Sequence, residues 1–263
     1  MSEPVKVVRN GEVLEITLDR PPANAINGAT SRALGAAFER LHRDDTLRVA
    51  IITGGGEKFF SAGWDLKAAA SDDPDATDYG PHGFAGLPEY YELDKPVIAA
   101  VNGLAVGGGF ELALAADVIV AAGHAQFWLP EAQIGILPDG GGINRLPRRV
   151  PYNLAVEMIL TGRRLGAEEA VRIGLASAAV PAAELLAKAR EIATAMRASA
   201  PLSVKAVKQT LRRIERMSIE DSIRLMREDR ANIPAYAAMW ASEDAKEGPR
   251  AIAEKRKPVW TGR

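Results

Sequence analysis

A triple glycine followed closely by a carboxylate is the feature of this chain with the clearest chemical potential. Gly107-Gly108-Gly109 comes after an apolar run and opens the helical stretch Phe110-Glu-Leu-Ala-Leu-Ala-Ala, so Glu111 falls in a first helical turn. Glycines let backbone approach a ligand closely, and the first N–H groups of a helix have no partner within it. Such a turn can hold a developing oxyanion beside a group that transfers protons. The segment Ser61-Ala62-Gly63-Trp64-Asp65-Leu66-Lys67 has the same character, a glycine-bearing turn before a helix start, and offers a second N–H. Glu131, in Leu129-Pro-Glu-Ala-Gln-Ile-Gly, lies between apolar residues, an unusual place for a solvated carboxylate. Asp139, in Leu137-Pro-Asp-Gly-Gly-Gly, is a further acid nearby in sequence. Each residue also has a plainer explanation. The macrodipole favours a first-turn Glu111, Asp65 and Glu131 suit helix caps, and Lys67 suits a solvated surface. Spacing alone leaves both explanations open.

Other chemistries find no support. The chain has no Gly-x-Ser-x-Gly elbow, no Gly-Lys-Ser/Thr phosphate loop and no His-Glu-x-x-His. Its three histidines, His42, His82 and His124, are scattered, so no metal site is expected. Cysteine is absent, which excludes disulfides and thiolate chemistry and fits a reducing compartment.

The elements that must position these residues can be read from apolar patterning. Asn10-Gly11 between Val5-Lys-Val-Val-Arg and Val13-Leu-Glu-Ile-Thr-Leu predicts a hairpin. Asn27 or Thr30 caps a helix whose apolar face is Ala33, Leu34, Ala37, Phe38 and Leu41. Strands are expected at 48–53, 96–103 and 117–122, with 126–142 a loop. Residues 71–83, rich in Asp, Pro and Gly, read as a polar, mobile loop. Beyond about 143 the pattern turns helical, with one short strand at 176–180, and 201–216, 218–240 and 242–256 are read as helices. Repeated strand, loop and helix with apolar strands predicts an α/β fold of largely parallel pairing. Residues 1–200 form the body and 201–263 a helical C-terminal part.

With 263 residues, 47% hydrophobic and 25% charged, the chain is ordinary globular protein with enough length for a sizeable core. A net charge of −1 argues against a partner recognised through its phosphate backbone. No apolar run of membrane-spanning length occurs, and a cytoplasmic protein is expected. Ten of the fifteen Phe, Trp and Tyr residues fall within 59–128, which is either one dense core or a pocket lined from several loops.

Long ordered stretches resemble the crotonase (enoyl-CoA hydratase/isomerase) superfamily. They are Phe60-Ser-Ala-Gly-Trp-Asp-Leu-Lys, Pro96-Val-Ile-Ala-Ala-Val-Asn-Gly-Leu-Ala-Val-Gly-Gly-Gly-Phe-Glu-Leu-Ala-Leu-Ala-Ala-Asp and Pro130-Glu-Ala-Gln-Ile-Gly. The likeness runs essentially end to end, through Leu160-Thr-Gly-Arg-Arg to the tail Glu247-Gly-Pro-Arg-Ala-Ile-Ala-Glu-Lys-Arg. Within the superfamily, Ile51–Ala70 and Ser242-Glu-Asp-Ala-Lys-Glu-Gly-Pro are most similar to its carnitinyl-CoA dehydratase branch.

The resemblance implies a spiral of ββα units, a C-terminal helical region used for trimers or dimers of trimers, and an acyl-CoA thioester substrate without a separate cofactor. It implies that the N–H groups of Trp64 and Gly108 form an oxyanion hole and that Glu111 and Glu131 are the catalytic pair. Ala62, Asp65, Leu66 and Lys67 stand where the family meets coenzyme A, and Lys255 where an adjacent subunit's nucleotide is reached. A carnitine-type acyl end carries a trimethylammonium, which aromatic faces and nearby negative charge recognise. On that basis Trp64, Phe110, Trp128 and Asp139 are candidate acyl contacts. The alternatives are a general enoyl-CoA hydratase, an enoyl- or dienoyl-CoA isomerase using Asp139, and a non-catalytic RNA-binding member. Retention of both glutamates and the lack of a basic excess weigh against the last.

Overall fold

The computed structural model describes residues 3–70 and 77–263. The chain divides into two compact units, one of Met1–Leu93 with Val97–Ala193 and one of Asp94–Pro96 with Thr194–Arg263.

The first unit is built on two sheets. The larger holds β1 (Val5–Asn10), β2 (Val13–Leu18), β3 (Val49–Gly54), β5 (Val97–Val101), β7 (Val118–Ala122) and β10 (Ala178–Val180), in the order β1-β2-β3-β5-β7-β10. The smaller holds β4 (Phe59–Ser61), β6 (Leu104–Val106), β8 (Gln126–Trp128) and β9 (Leu165–Gly166), in that order. β1 with β2 and β8 with β9 are antiparallel; every other pairing is parallel. In the larger sheet β3 and β5 are buried along their whole length, as continuous apolar runs in parallel sheets usually are. The hairpin forms with Asn10 opposite Val13, so Gly11-Glu12, rather than Asn10-Gly11, is the two-residue turn; Gly11 has φ +61°.

Helix α1 (Gly28–Arg43) begins at Asn27, whose side chain accepts the Thr30 N–H at 3.0 Å, and buries Leu34, Ala37, Phe38 and Leu41. α2 (Leu66–Ala69) and α3 (Gly108–Ala115) follow β4 and β6, and α4 (Gly142–Arg149), α5 (Tyr152–Thr161), α6 (Ala167–Arg172) and α7 (Leu185–Arg197) come after them in the chain. The expected loop over 126–142 contains β8 and a short 3₁₀ turn at Glu131–Ile134, because a strand of three residues is too short for its alternation to be read. Of the polar loop expected at 71–83, residues 71–76 lie outside the described residues.

The second unit contains α8 (Pro201–Ile214), α9 (Ile219–Glu228), α10 (Pro234–Ala241) and α11 (Asp244–Ala253). The helix expected over 218–240 is broken into α9 and α10, with Pro234 starting a new helix where a proline is tolerated. Lys208, almost wholly buried, donates to the Lys95 carbonyl at 2.7 Å, and Asp244 accepts the N–H groups of Thr261 and Gly262 at 2.8 and 2.9 Å. No helix of the described residues is long and apolar enough to cross a membrane.

Candidate active site

The site is assembled where the strands of the small sheet end. After β4 the chain turns at Gly63, φ +77°, and after β6 at Gly107, φ +52°. The two turns lie against each other: a Cβ added to Gly63 would stand 2.5 Å from the Val106 carbonyl oxygen and 2.7 Å from the Gly108 nitrogen, so only hydrogen fits. Ile26 donates to the Gly63 carbonyl at 2.7 Å and accepts from Asp65 N–H at 2.9 Å, which leaves the intervening Trp64 N–H on the other side of that ladder. Among the described residues, neither the Trp64 N–H nor the Gly108 N–H finds a hydrogen-bond partner. Two orphan donors on adjoining turns form a place where negative charge is favoured.

Two carboxyls stand beside these turns. Glu111, in the first turn of α3, is 4% exposed, and its Oε1 accepts the Gly142 N–H at 2.8 Å. Burial pushes its pKa up to about 7, and the charges of Glu131 and Asp139 push the same way, against the Gly142 N–H and the Arg145 guanidinium. Glu131 starts the 3₁₀ turn after β8 and is 7% exposed. Its Oε1 lies so near Gly107 that a Cβ there would approach to 2.6 Å, while its Oε2 is buried without a partner among the described residues. Burial raises the Glu131 pKa, Asp139 adds to the rise, and its own backbone N–H opposes it. An uncompensated buried carboxylate is costly, so this pair is held for a ligand or for proton transfer more readily than for stability. Arg145 of α4 also donates to the Pro88 carbonyl and packs beside Gly141, tying the loop that holds Glu111 to the segment after Phe84.

Aromatic side chains close over the turns. The Phe84 ring sits where a Cβ on Gly108 would have to go, 2.4 Å from its Cε1. Tyr79 meets Phe84 edge to face, with centroids 5.4 Å apart at 87°, and its hydroxyl accepts a hydrogen bond from the Trp64 indole. Burial raises the Tyr79 pKa and the charge of Asp139 adds to it, so this exposed carboxylate is electrostatically felt by Tyr79, Glu111 and Glu131 alike.

Of the residues singled out in the sequence, Trp64, Gly108, Glu111, Glu131 and Asp139 are therefore brought together. Ala62 donates to the Ala23 carbonyl at 2.9 Å on the same turn. Asp65 caps α2 through the Lys67 and Ala68 N–H groups and pairs with Arg20 at 2.7 Å; against burial, these contacts hold its carboxyl below the usual range. Leu66 and Lys67 are exposed on the first turn of α2. Phe110 points into the core, its ring 5.1 Å from Phe127. The Trp128 ring carries the Arg164 guanidinium at 4.1 Å, so that face already holds a cation of the protein's own. Lys255, with φ +54°, belongs to the second unit. Tyr79, Phe84, Gly142 and Arg145 belong to the site without standing out in the sequence. The crowding of aromatics between 59 and 128 was the available sign of the first two; the last two carry no local signal.

Fold and site together define the class. Residues 8–263 match the enoyl-CoA hydratase/isomerase family, and the chain belongs to it. It is an enzyme, a hydro-lyase with the crotonase fold. Over 263 residues, covering all of both chains, it is 56% identical to the carnitinyl-CoA dehydratase of Salmonella typhi. Among solved structures it resembles an enoyl-CoA hydratase from Mycobacterium tuberculosis H37Rv, with TM-score 0.90, 40% identity and full coverage of both chains. A probable enoyl-CoA hydratase/isomerase from Mycobacterium abscessus, at TM-score 0.88 and 39% identity, also matches over the whole of each chain.

Proposed function

We propose that this chain adds water across the 2,3 double bond of an enoyl-CoA thioester and removes it in reverse, with crotonobetainyl-CoA and carnitinyl-CoA as the physiological pair. The observation that carries the reading is a pair of buried glutamates of raised pKa beside the Gly108 N–H, which has no partner among the described residues. The Trp64 and Gly108 N–H groups receive the thioester oxygen as negative charge develops on it, at about 3 kcal/mol per donor. Glu111 takes a proton from water as its oxygen bonds to C3, and Glu131 delivers a proton to C2 as the enolate collapses. Proton return from Glu111 to Glu131 restores the pair. No cofactor is needed beyond the coenzyme A of the substrate.

Ala62, Asp65, Leu66 and Lys67 line the coenzyme A, and Lys255 reaches its nucleotide end from an adjacent subunit. Self-association as a trimer or dimer of trimers, using residues 201–263, is part of the reading. Exposed Ile134, Leu137, Tyr152 and Leu160 fit burial against a further copy. The carnitine assignment is supported by relatives of 56% identity and by the negative charge of Asp139 acting on Tyr79 and Glu111. A cytoplasmic location accords with the absence of cysteine.

A second reading, isomerisation of an enoyl- or dienoyl-CoA, draws on the closeness of Asp139 to both glutamates. An activity panel over crotonyl-, longer enoyl-, crotonobetainyl- and dienoyl-CoA tests both. The highest kcat/KM is expected for crotonobetainyl-CoA; double-bond migration in the dienoyl substrate as the only reaction would overturn hydration.

A further inference from the structure

The proposed reaction leaves one group of side chains at the site without a task. Tyr79 is fixed on two sides, by the Trp64 indole on its hydroxyl and by the Phe84 ring at 5.4 Å. It stands within the field of Asp139, which also reaches Glu111 and Glu131. With Glu111 ionised for hydration, its charge and that of Asp139 repel each other, and Glu131 Oε2 is buried without a partner among the described residues. A neutral acyl chain would leave that repulsion in place. A compact cation without hydrogen-bond donors would relieve it, touching aromatic faces and carboxylates without competing for their hydrogen bonds. Trp128 is a poorer candidate for this contact, since Arg164 already lies over its ring.

We infer that Tyr79, braced by Trp64 and Phe84, is the specificity-determining residue of the acyl end, and that with Asp139 it holds a quaternary ammonium next to the reacting carbons. The inference rests on the hydration reading above. It adds a location: the cation lies on the Tyr79 side of the site, over the turns that carry Trp64 and Gly108. Tyr79 works through its ring, and the hydroxyl serves to fix the ring's orientation through Trp64.

The test compares kcat/KM for crotonobetainyl-CoA with that for its neutral isostere, 5,5-dimethylhex-2-enoyl-CoA, in which carbon replaces the charged nitrogen. The wild type is expected to prefer the cation at least tenfold. Tyr79→Leu should cut that preference at least fivefold, Asp139→Asn at least threefold, and Tyr79→Phe, which keeps the ring, less than twofold. A preference unmoved by both Tyr79→Leu and Asp139→Asn in folded protein would overturn the assignment. A wild type hydrating both thioesters equally would refute the cation site and leave hydration standing. Hydration of neither would refute both. Should Tyr79→Leu fail to fold, Tyr79→Phe and Asp139→Asn still decide, because loss of preference in the first with none in the second contradicts a ring-and-carboxylate site.

Discussion

The two sheets of the first unit end their strands in opposite ways. In the large sheet, the backbone beyond β3 and β5 is tied off within the protein. Asn102 Oδ1 accepts the Gly54 N–H at 2.9 Å and its Nδ2 donates to the Gly56 carbonyl at 2.8 Å. Asn24 Nδ2 likewise donates to the Gly55 and Phe59 carbonyls at 2.9 and 3.0 Å. In the small sheet, the ends of β4 and β6 lead to N–H groups with no partner among the described residues, and the end of β8 leads to a buried carboxylate oxygen in the same condition. The large sheet uses its polar groups for stability. The small one holds its polar groups open, a cost to the folded state that makes sense only if a ligand satisfies them.

This contrast can be broken by substitution. The largest effect is expected at Gly108→Pro, which deletes an orphan N–H and drives a ring toward Phe84. Turnover should fall about a thousandfold or more while circular dichroism stays native. Glu111→Gln and Glu131→Gln should each lower turnover by at least about a hundredfold, as loss of general acid–base catalysis does. Near-full turnover in either would remove that residue from the mechanism.

The raised pKa of Glu111 links the site to stability. The group has an ordinary value of 4.5 and a folded value of about 7, so the folded state binds more protons than the unfolded state between them. The contribution of Glu111 to stability should therefore be fully present below the lower value and be lost as pH rises through the upper one, by about 3 kcal/mol in all. Denaturant titrations of wild type and Glu111→Gln from pH 5 to 8 check this, since the variant should lack that part of the slope. Hydration, which needs Glu111 ionised, should weaken as pH falls below about 7.

The large sheet should respond in the opposite sense. Asn102→Ala should cost about 1–3 kcal/mol of stability, because the Gly54 N–H and Gly56 carbonyl lose their partner, with kcat changed less than twofold at a temperature where the variant is folded. The smallest effect is expected for Trp128→Leu. With its ring engaged by Arg164, its loss should move the preference for cationic over neutral acyl groups by less than twofold.

The same contrast explains what could be read from the sequence. The large sheet was legible because β3, β5 and β7 are largely apolar runs of five or six residues, β2 alternates Leu14, Ile16 and Leu18 with Glu15 and Thr17, and α1 announces itself through the Asn27 cap and the Leu34, Phe38, Leu41 stripe. The small sheet was not, because strands of two or three residues fall below any periodicity. Glu111 and Gly108 stood out through the triple glycine, and Glu131 through a carboxylate among apolar neighbours. The Gly142 N–H that fixes Glu111 could not, since a backbone donor 31 residues away leaves no mark in composition or spacing. Phe110 beside Glu111 shows the limit of adjacency: on a helix, consecutive side chains point apart, and this one faces the core.

Whether the open ends of the small sheet add water to the substrate can be decided by isotope. Crotonobetainyl-CoA is incubated with wild type and Glu111→Gln in ¹⁸O-enriched water, and the product is analysed by mass spectrometry. One labelled oxygen at C3 is expected with wild type, and a rate of labelling at least about a hundredfold lower with the variant. Double-bond migration without uptake of oxygen, or equal labelling by both proteins, would contradict water addition at this site.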